Sequence, residues 1–286
     1  MLSIRTNVAS LSAQKSLSGS TESLQSSMSK LSSGMRITRA SDDAAGLGVS
    51  QNLTAQVKSY NQASRNASDG LSVVQTAESA LNETGNILTR MRELTMQSAS
   101  DGISNTERAY IQEETDALVT ELDRINSSTE FNGTKLFGAA APLSFQVGIR
   151  GTNDDFIEID TTAMEVDGGS LGDGTNTIND LKSGGAMDLE TSATQSRSAL
   201  AVIDGAIDNV SNFRSQLGAV ANRLESVQST IASASESAAA ANSRIRDVDV
   251  AQETANMARA NVLQQAGVSV LAQANQQPQI ALKLLG

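Results

Sequence analysis

Residues 199–248 read ALAVIDGAIDNVSNFRSQLGAVANRLESVQSTIASASESAAAANSRIRDV, and this stretch decides the fold. From Ala199, alternating steps of four and three land on Ile203, Ala206, Val210, Phe213, Leu217, Val220, Leu224, Val227, Ile231, Ala234, Ala238, Ala241, Ile245 and Val248. Every one is apolar. An apolar repeat averaging 3.5 residues, kept far beyond the three or four heptads that define it, predicts a coiled-coil seam on one long helix. That helix is expected from about 193 to 247, roughly 80 Å at ~1.5 Å per residue. Its second half is Ala-rich, so neighbours can approach closely there.

The N-terminal half supplies a partner. Leu53, Val57, Tyr60, Ser64, Ala67, Leu71 and Val74 follow the same spacing; after one extra three-residue step, a stammer, the row continues through Ala77, Leu81, Thr84, Leu88 and Met91. A second face carries Val73, Ala80, Ile87 and Leu94. Two apolar faces mean neighbours on two sides, hence a bundle. Ser100-Asp101-Gly102 breaks the helix. Ser104 followed by Glu107 reads as a capping box opening the next one. Its stripe is Ile111, Leu118, Leu122 and Ile125, and Asn132-Gly133 is expected to end it.

The centre changes period. Leu143, Phe145, Val147 and Ile149 alternate with polar or small residues, a Gly-Thr-Asn-Asp-Asp turn follows at 151–155, and then come Phe156, Ile157 and Ile159. This predicts a β-hairpin. From about Val166 to Thr194 the chain is rich in Gly, Asp, Ser and Thr and is expected as a surface loop or a very small appendage. The ends differ again. Residues 1–33 hold twelve serines around sparse apolar positions, among them Ile4, Leu11, Leu17, Leu24, Met28 and Leu31. The last forty place Val262, Leu263, Val270, Leu271, Ile280, Leu282, Leu284 and Leu285 amid Gln and Ala. Such helices are weak alone and are expected to order by pairing. The predicted class is therefore mainly α, a long antiparallel helical bundle or coiled coil made by the N- and C-terminal tracts, with a central β-hairpin.

Composition removes most chemistry. Neither Cys nor His occurs, which excludes thiolate and imidazole catalysis and the metal sites built on them. Aromatic residues are 2%, so Ala, Leu, Ile and Val must fill the interior. The net charge of −11 argues against nucleic-acid binding. No stretch approaches the ~20 apolar residues of a membrane span, and the N-terminus lacks the apolar core of a secretory signal. Asp154, Asp155, Glu158 and Asp160 do not follow the spacing of a calcium loop and read as a solvated turn. Gly46 and Gly48 do not make a phosphate loop. Asp42-Asp43 beside Arg36 and Arg39 reads as a helix start, with Ser41 as cap and acids near the dipole's positive end. No catalytic, cofactor or metal residue is assigned.

Several blocks resemble one family. Leu31-Ser32-Ser33-Gly34-Met35-Arg36-Ile37 and Ala40-Ser41-Asp42-Asp43-Ala44-Ala45-Gly46 are similar to the N-terminal signature of bacterial flagellins, as are Ala63–Gly70, Ala77–Glu83, Met91–Leu94 and Phe131-Asn132-Gly133. Ser243–Asp247, Leu263–Gly267 and Ser269–Gln276 are similar to the C-terminal one. Two positions depart: Ile4-Arg5-Thr6-Asn7 where Ile-Asn-Thr-Asn is common, and a Leu284-Leu285-Gly286 end where many members finish on a basic residue.

The resemblance implies a subunit of the flagellar filament, self-assembling into a helical homopolymer for swimming motility and exported without a cleaved signal. It implies a terminal coiled-coil layer from 1–40 with 248–286, a bundle with hairpin from 41–172 with 193–247, and a variable surface loop at 173–192. Arg36, Arg39, Asp42 and Asp43 would form the spoke between layers, with Leu217, Leu224, Ile231 and Ile245 as the bundle seam. The implied partners are the flagellar type III export apparatus, a chaperone for the C-terminal segment, and cap and junction proteins. A further implied partner is the vertebrate Toll-like flagellin receptor, reading Arg90, Leu94, Gln97 and Glu114. No cofactor, nucleic acid or membrane insertion is implied. The competing readings are a hook–filament junction protein and a non-flagellar coiled-coil adaptor. The peptidase insertion of some flagellins needs histidines that this chain lacks.

Overall fold

The computed structural model describes residues 7–190 and 192–285, the side chains of 277–285 excepted. Ile4 and Arg5, and the side chains of Ile280, Leu282, Leu284 and Leu285, therefore lie outside the described residues, as does Gly286. The fold is mainly α, with helices α1 (Val8–Ser33), α2 (Ala44–Ser98), α3 (Asn105–Ser128), α4 (Ala193–Arg246) and α5 (Val250–Leu285). Between α3 and α4 lie two antiparallel strand pairs, β1 (Glu130–Phe131) with β2 (Thr134–Lys135), and β3 (Leu143–Gln146) with β4 (Phe156–Ile159). The chain divides into two compact units, Met1–Val57 with Glu236–Gly286, and Lys58–Ser235.

In the unit Lys58–Ser235, α2 and α4 run antiparallel: Arg92 meets Asp204, and Gln228 donates to Ser68 Oγ. Leu81, Leu88 and Met91 of α2, Val119 and Leu122 of α3, and Ile203 and Leu224 of α4 are fully buried in one cluster. None of the fifteen apolar positions from Ala199 to Val248 is exposed. The hairpin pairs Leu143 with Ile159 and Phe145 with Ile157, turning these apolar side chains to one face. That face lies hard against the bundle. A Cβ on Gly70 would stand 3.2 Å from Leu224 Cδ1 and 3.3 Å from the Phe145 ring.

α3 opens on its capping box: Ser104 Oγ accepts from Glu107 N at 3.3 Å, and Glu107 Oε2 accepts from Ser104 N at 2.8 Å. Its end differs from expectation. The helix stops at Ser128, and Asn132 (φ 50°) and Gly133 (φ 79°) form instead the two-residue turn between β1 and β2. A tight hairpin turn needs positive φ at both central residues, which Asn-Gly supplies most easily.

The stretch 173–192, expected as a surface loop, is partly core. Ile178, Leu181 and Leu189 are completely buried, the first two on a 3₁₀ turn packed against α3. Gln112 of α3 anchors them: its Nε2 donates to Leu181 O at 2.6 Å, and its Oε1 accepts from Leu189 N at 2.8 Å. Ser98 at the end of α2 donates to Leu189 O at 3.0 Å. Isolated apolar residues among Gly and Asp carry no period, yet each has a slot between helices.

In the other unit, α1 and α5 pair antiparallel. Asn7 Nδ2 donates to Ala274 O at 2.8 Å, and Leu17 packs on Gly267, where a Cβ would come within 3.3 Å of Leu17 Cδ1. The more buried positions of α1 are Ser10, Ala13, Leu17, Ser20, Leu24, Ser27 and Leu31, a three-four alternation, with Lys30 beside Leu31 also partly covered. Carried along in antiparallel register, the Leu17–Gly267 contact sets Leu24 opposite Ala260, Ala13 opposite Leu271 and Ser27 opposite Met257. Large meets small in each layer. The helices therefore approach closely and cover little of each other.

Candidate functional site

The segment expected as the spoke is clasped to the end of α4 where two stretches of the chain cross. Leaving α1, Gly34 accepts from Val248 N at 3.1 Å, Met35 bridges Asp247, and Arg36 N donates to Arg246 O at 2.6 Å. The Arg36 guanidinium reaches the Ile245 carbonyl with Nη2 at 2.8 Å and Nε at 3.2 Å. That carbonyl belongs to the last turn of α4, where orphan acceptors and the negative dipole end favour a cation. Ile245 itself is half-buried.

The two aspartates do separate jobs. Asp42 Oδ2 accepts from Thr38 N, Thr38 Oγ1 and Arg39 N, each at 3.0 Å, closing the turn before α2. These backbone amides, Thr38 first, and then the Thr38 hydroxyl, hold its carboxyl below the usual carboxylate range. Asp43 is the cap of α2, its Oδ1 accepting from Gly46 N at 2.8 Å. The cap expected at Ser41 thus sits two residues later, because α2 begins at Ala44. Gly46 fits there because a Cβ would collide with Asp43 and with the buried Ile37. Arg39 is exposed and lines a groove of about 520 Å³ with Glu22, Gln25 and Asp42.

The seam residues differ in depth: Leu217 and Leu224 are fully buried, Ile231 nearly so. On the α2–α3 face, Arg90 and Glu114 come together at 2.8 Å, and Arg90 also reaches Glu93 at 3.1 Å. Hydrogen bonds donated by Arg90 to Glu114, and then to Glu93, push the basicity of its guanidinium above the ordinary value. Gln97 is exposed. Leu94 does not join this surface. It is 3% exposed and sits in the core cluster, because four residues advance a helix by about 40° more than one turn, enough to carry the side chain off the Arg90 surface. Tyr110, on α3, stands 67% exposed, the one exposed aromatic side chain among the described residues. Sequence reasoning missed it, and also missed Arg108, buried inside the α3 stripe with its Nη2 donating to Ser100 O at 2.8 Å. A polar residue recurring within an apolar stripe, as Arg108 and Gln112 do four apart, was the available signal.

The acids of the central region serve turns. Asp155 Oδ2 accepts from Arg150 N, Thr152 N and Thr152 Oγ1, while Asp154 is exposed. Among the described residues no three acidic groups converge as a metal site. What the surface does offer is apolar. Val8, Leu11 and Met28 of α1, and Val250, Val262, Leu263, Val268 and Val270 of α5, are all more than half exposed.

Two family models match the chain: the bacterial flagellin N-terminal helical region over residues 4–141, and the bacterial flagellin C-terminal helical region over 200–285. The chain is 41% identical to a flagellin of Bacillus subtilis and 40% identical to a flagellin of Halalkalibacterium halodurans, each over 99% of both chains. Among solved structures, a putative flagellar hook-associated protein from Vibrio parahaemolyticus superposes with a TM-score of 0.61 at 15% identity, covering 72% of this chain and all of that one; it shares the fold. With both helical ends matched and identity sustained over the full length, the chain belongs to the bacterial flagellin family.

Proposed function

We propose that this chain is the structural subunit of a flagellar filament, extracellular and serving swimming motility, and that the α1–α5 pair is its main assembly element. One observation carries the reading: the large apolar residues left exposed gather on α1 and α5. A helix pair whose seam is narrowed by Ala, Gly and Ser cannot cover them itself, so burial requires other copies. Arg36, Arg39, Asp42 and Asp43 act as the spoke between a terminal layer, 1–40 with 248–286, and a bundle layer, 41–172 with 193–247. Leu217, Leu224, Ile231 and Ile245 hold the bundle seam. Subunits leave the cell through the flagellar type III export apparatus without a cleaved signal. A chaperone covers the C-terminal segment before assembly, and cap and junction proteins meet the polymer at its ends. The competing readings, junction protein and coiled-coil adaptor, have no observation of their own here.

Electron microscopy of purified protein nucleated with salt tests the proposal. Long uniform tubes support it, and discrete rods or monomers that never polymerise overturn it. A finer reading concerns the vertebrate Toll-like flagellin receptor. Arg90, Gln97 and Glu114 offer a polar surface to it, without Leu94. The test is binding to monomer and to sealed filament: binding by monomer alone supports a surface hidden in the polymer, and no binding by monomer overturns it.

A further inference from the structure

The turn between β1 and β2 brings a reactive pair to the surface. Asn132-Gly133 is the only Asn-Gly pair in the chain. Both residues are exposed, and Asn132 is the one non-glycine residue with positive φ among the described residues. Gly133 has no side chain beside its own nitrogen, so that nitrogen can approach the Asn132 carboxamide carbon. It donates no backbone hydrogen bond among the described residues. Other asparagines are better protected. Those inside the helices are followed by amides held in the helical ladder, and after Asn179 the Asp180 N donates to Thr177 O at 3.0 Å. The strands flanking the turn have two residues each, so few ladder bonds keep it from opening.

We propose that Asn132 is a site of spontaneous deamidation and isomerisation, with water as the only co-reactant. Gly133 N gives up its proton to base and attacks Asn132 Cγ, forming a new C–N bond. The bond from Cγ to the side-chain nitrogen breaks, and that nitrogen takes a proton from water and leaves as ammonia. The product is a five-membered succinimide, which a second water opens. Opening at the side-chain carbonyl leaves aspartate at position 132. Opening at the backbone carbonyl leaves isoaspartate, whose main chain runs through the former side chain and is one methylene longer. Either product adds one negative charge to the turn.

The two products affect the fold differently. Aspartate tolerates the positive φ that the turn requires, so the register of β1 and β2 survives. A longer main chain does not fit a two-residue turn. Just beyond it, Leu136 N donates to Thr129 O at 3.1 Å, and Leu136 and Phe137 are buried in the main core. Isoaspartate therefore loosens the segment that anchors Phe137, the largest of the fully buried side chains. The inference goes beyond the filament reading and does not depend on it.

The test is to age the purified folded chain at mildly alkaline pH. Beside it are aged the same chain unfolded in guanidinium, and an Asn132→Gly variant, which accepts the same φ but has no carboxamide. Isoaspartate is measured with a protein isoaspartyl methyltransferase and located by mass spectrometry of the tryptic peptide 125–135. Methyl acceptors should accumulate in that peptide of the folded chain, faster as pH rises, and fall to background in Asn132→Gly. The isoaspartyl form, once separated, should be cleaved within 129–138 faster than fresh chain, whereas Asn132→Asp should match fresh chain. A folded chain still unmodified when the unfolded one is fully converted overturns the site, as do acceptors that persist in Asn132→Gly. Isoaspartyl chain cleaved no faster than fresh chain overturns the loosening of the anchor.

Discussion

Gly205 lies inside α4 only one residue from the seam, and a glycine there costs helix stability relative to Ala by about 1 kcal/mol. It is present because the 171–177 loop crosses α4 at that point. A Cβ would stand 2.7 Å from Gly172 O and 2.8 Å from Asp173 Cα, both backbone. Gly205→Ala should therefore destabilise by about 1–3 kcal/mol despite its better propensity. Gly218→Ala, with nothing within 4 Å of its added carbon, should stabilise by roughly 0.5–1 kcal/mol. Urea midpoints of the two variants check the pair, and shifts of the same sign would refute the packing account. Leu224 behaves differently: its role was legible from periodicity alone, and it is completely buried. Leu224→Ala should cost about 2–5 kcal/mol and Leu224→Asp more, read from thermal midpoints. The contrast has a physical root. Seam burial follows from spacing along one helix, whereas the contact at Gly205 depends on a loop distant in sequence.

At the scale of elements, α2, α3, α4 and the β3–β4 hairpin were readable because each repeats a period, 3.5 or 2, whereas the C-terminal helix was read from composition and pairing rather than from a period. The segment 166–190 has none, and its anchors Ile178, Leu181 and Leu189 were not legible. Gln112 is the test of that packing. Gln112→Ala orphans Leu181 O and Leu189 N, both held in buried hydrogen bonds, at about 1–3 kcal/mol per orphaned group. The expected result is faster proteolysis within 178–189 with α2–α4 still helical. Tolerance should also be uneven across the segment. Gly174 has positive φ and open space around it, so a short insertion after it should leave the fold intact. The same insertion after Leu181 should not. Equal stability of the two insertions, measured by thermal melting, would return the whole segment to the status of a surface loop.

Over the whole molecule, acid acts in one direction. Asp42, Glu107, Asp155, Asp160 and Asp173 are all held below their ordinary values, chiefly by backbone amides or neighbouring hydroxyls. A carboxylate lowered on folding binds fewer protons in the native state, so its contribution is complete above its ordinary range and fades as pH falls through it toward the lower native value. These groups are solvent-exposed, so each contribution is small, and their sum should appear as a melting temperature that is flat near neutrality and declines below about pH 4. The same scale separates folding from assembly. The main hydrophobic cluster runs from Ala63 to Ile231 and includes no residue of α1 or α5. The exposed apolar side chains lie mostly on those two helices. Deleting 1–30 or 260–286 therefore removes the surfaces that need other copies while leaving the core whole. Each truncated chain should remain soluble, keep a cooperative thermal transition and a helical far-ultraviolet spectrum, and form no tubes after nucleation with salt. Tubes from either chain would show that the bundle unit carries assembly by itself. Loss of the cooperative transition would show that α1 and α5 stabilise the fold as well as the polymer.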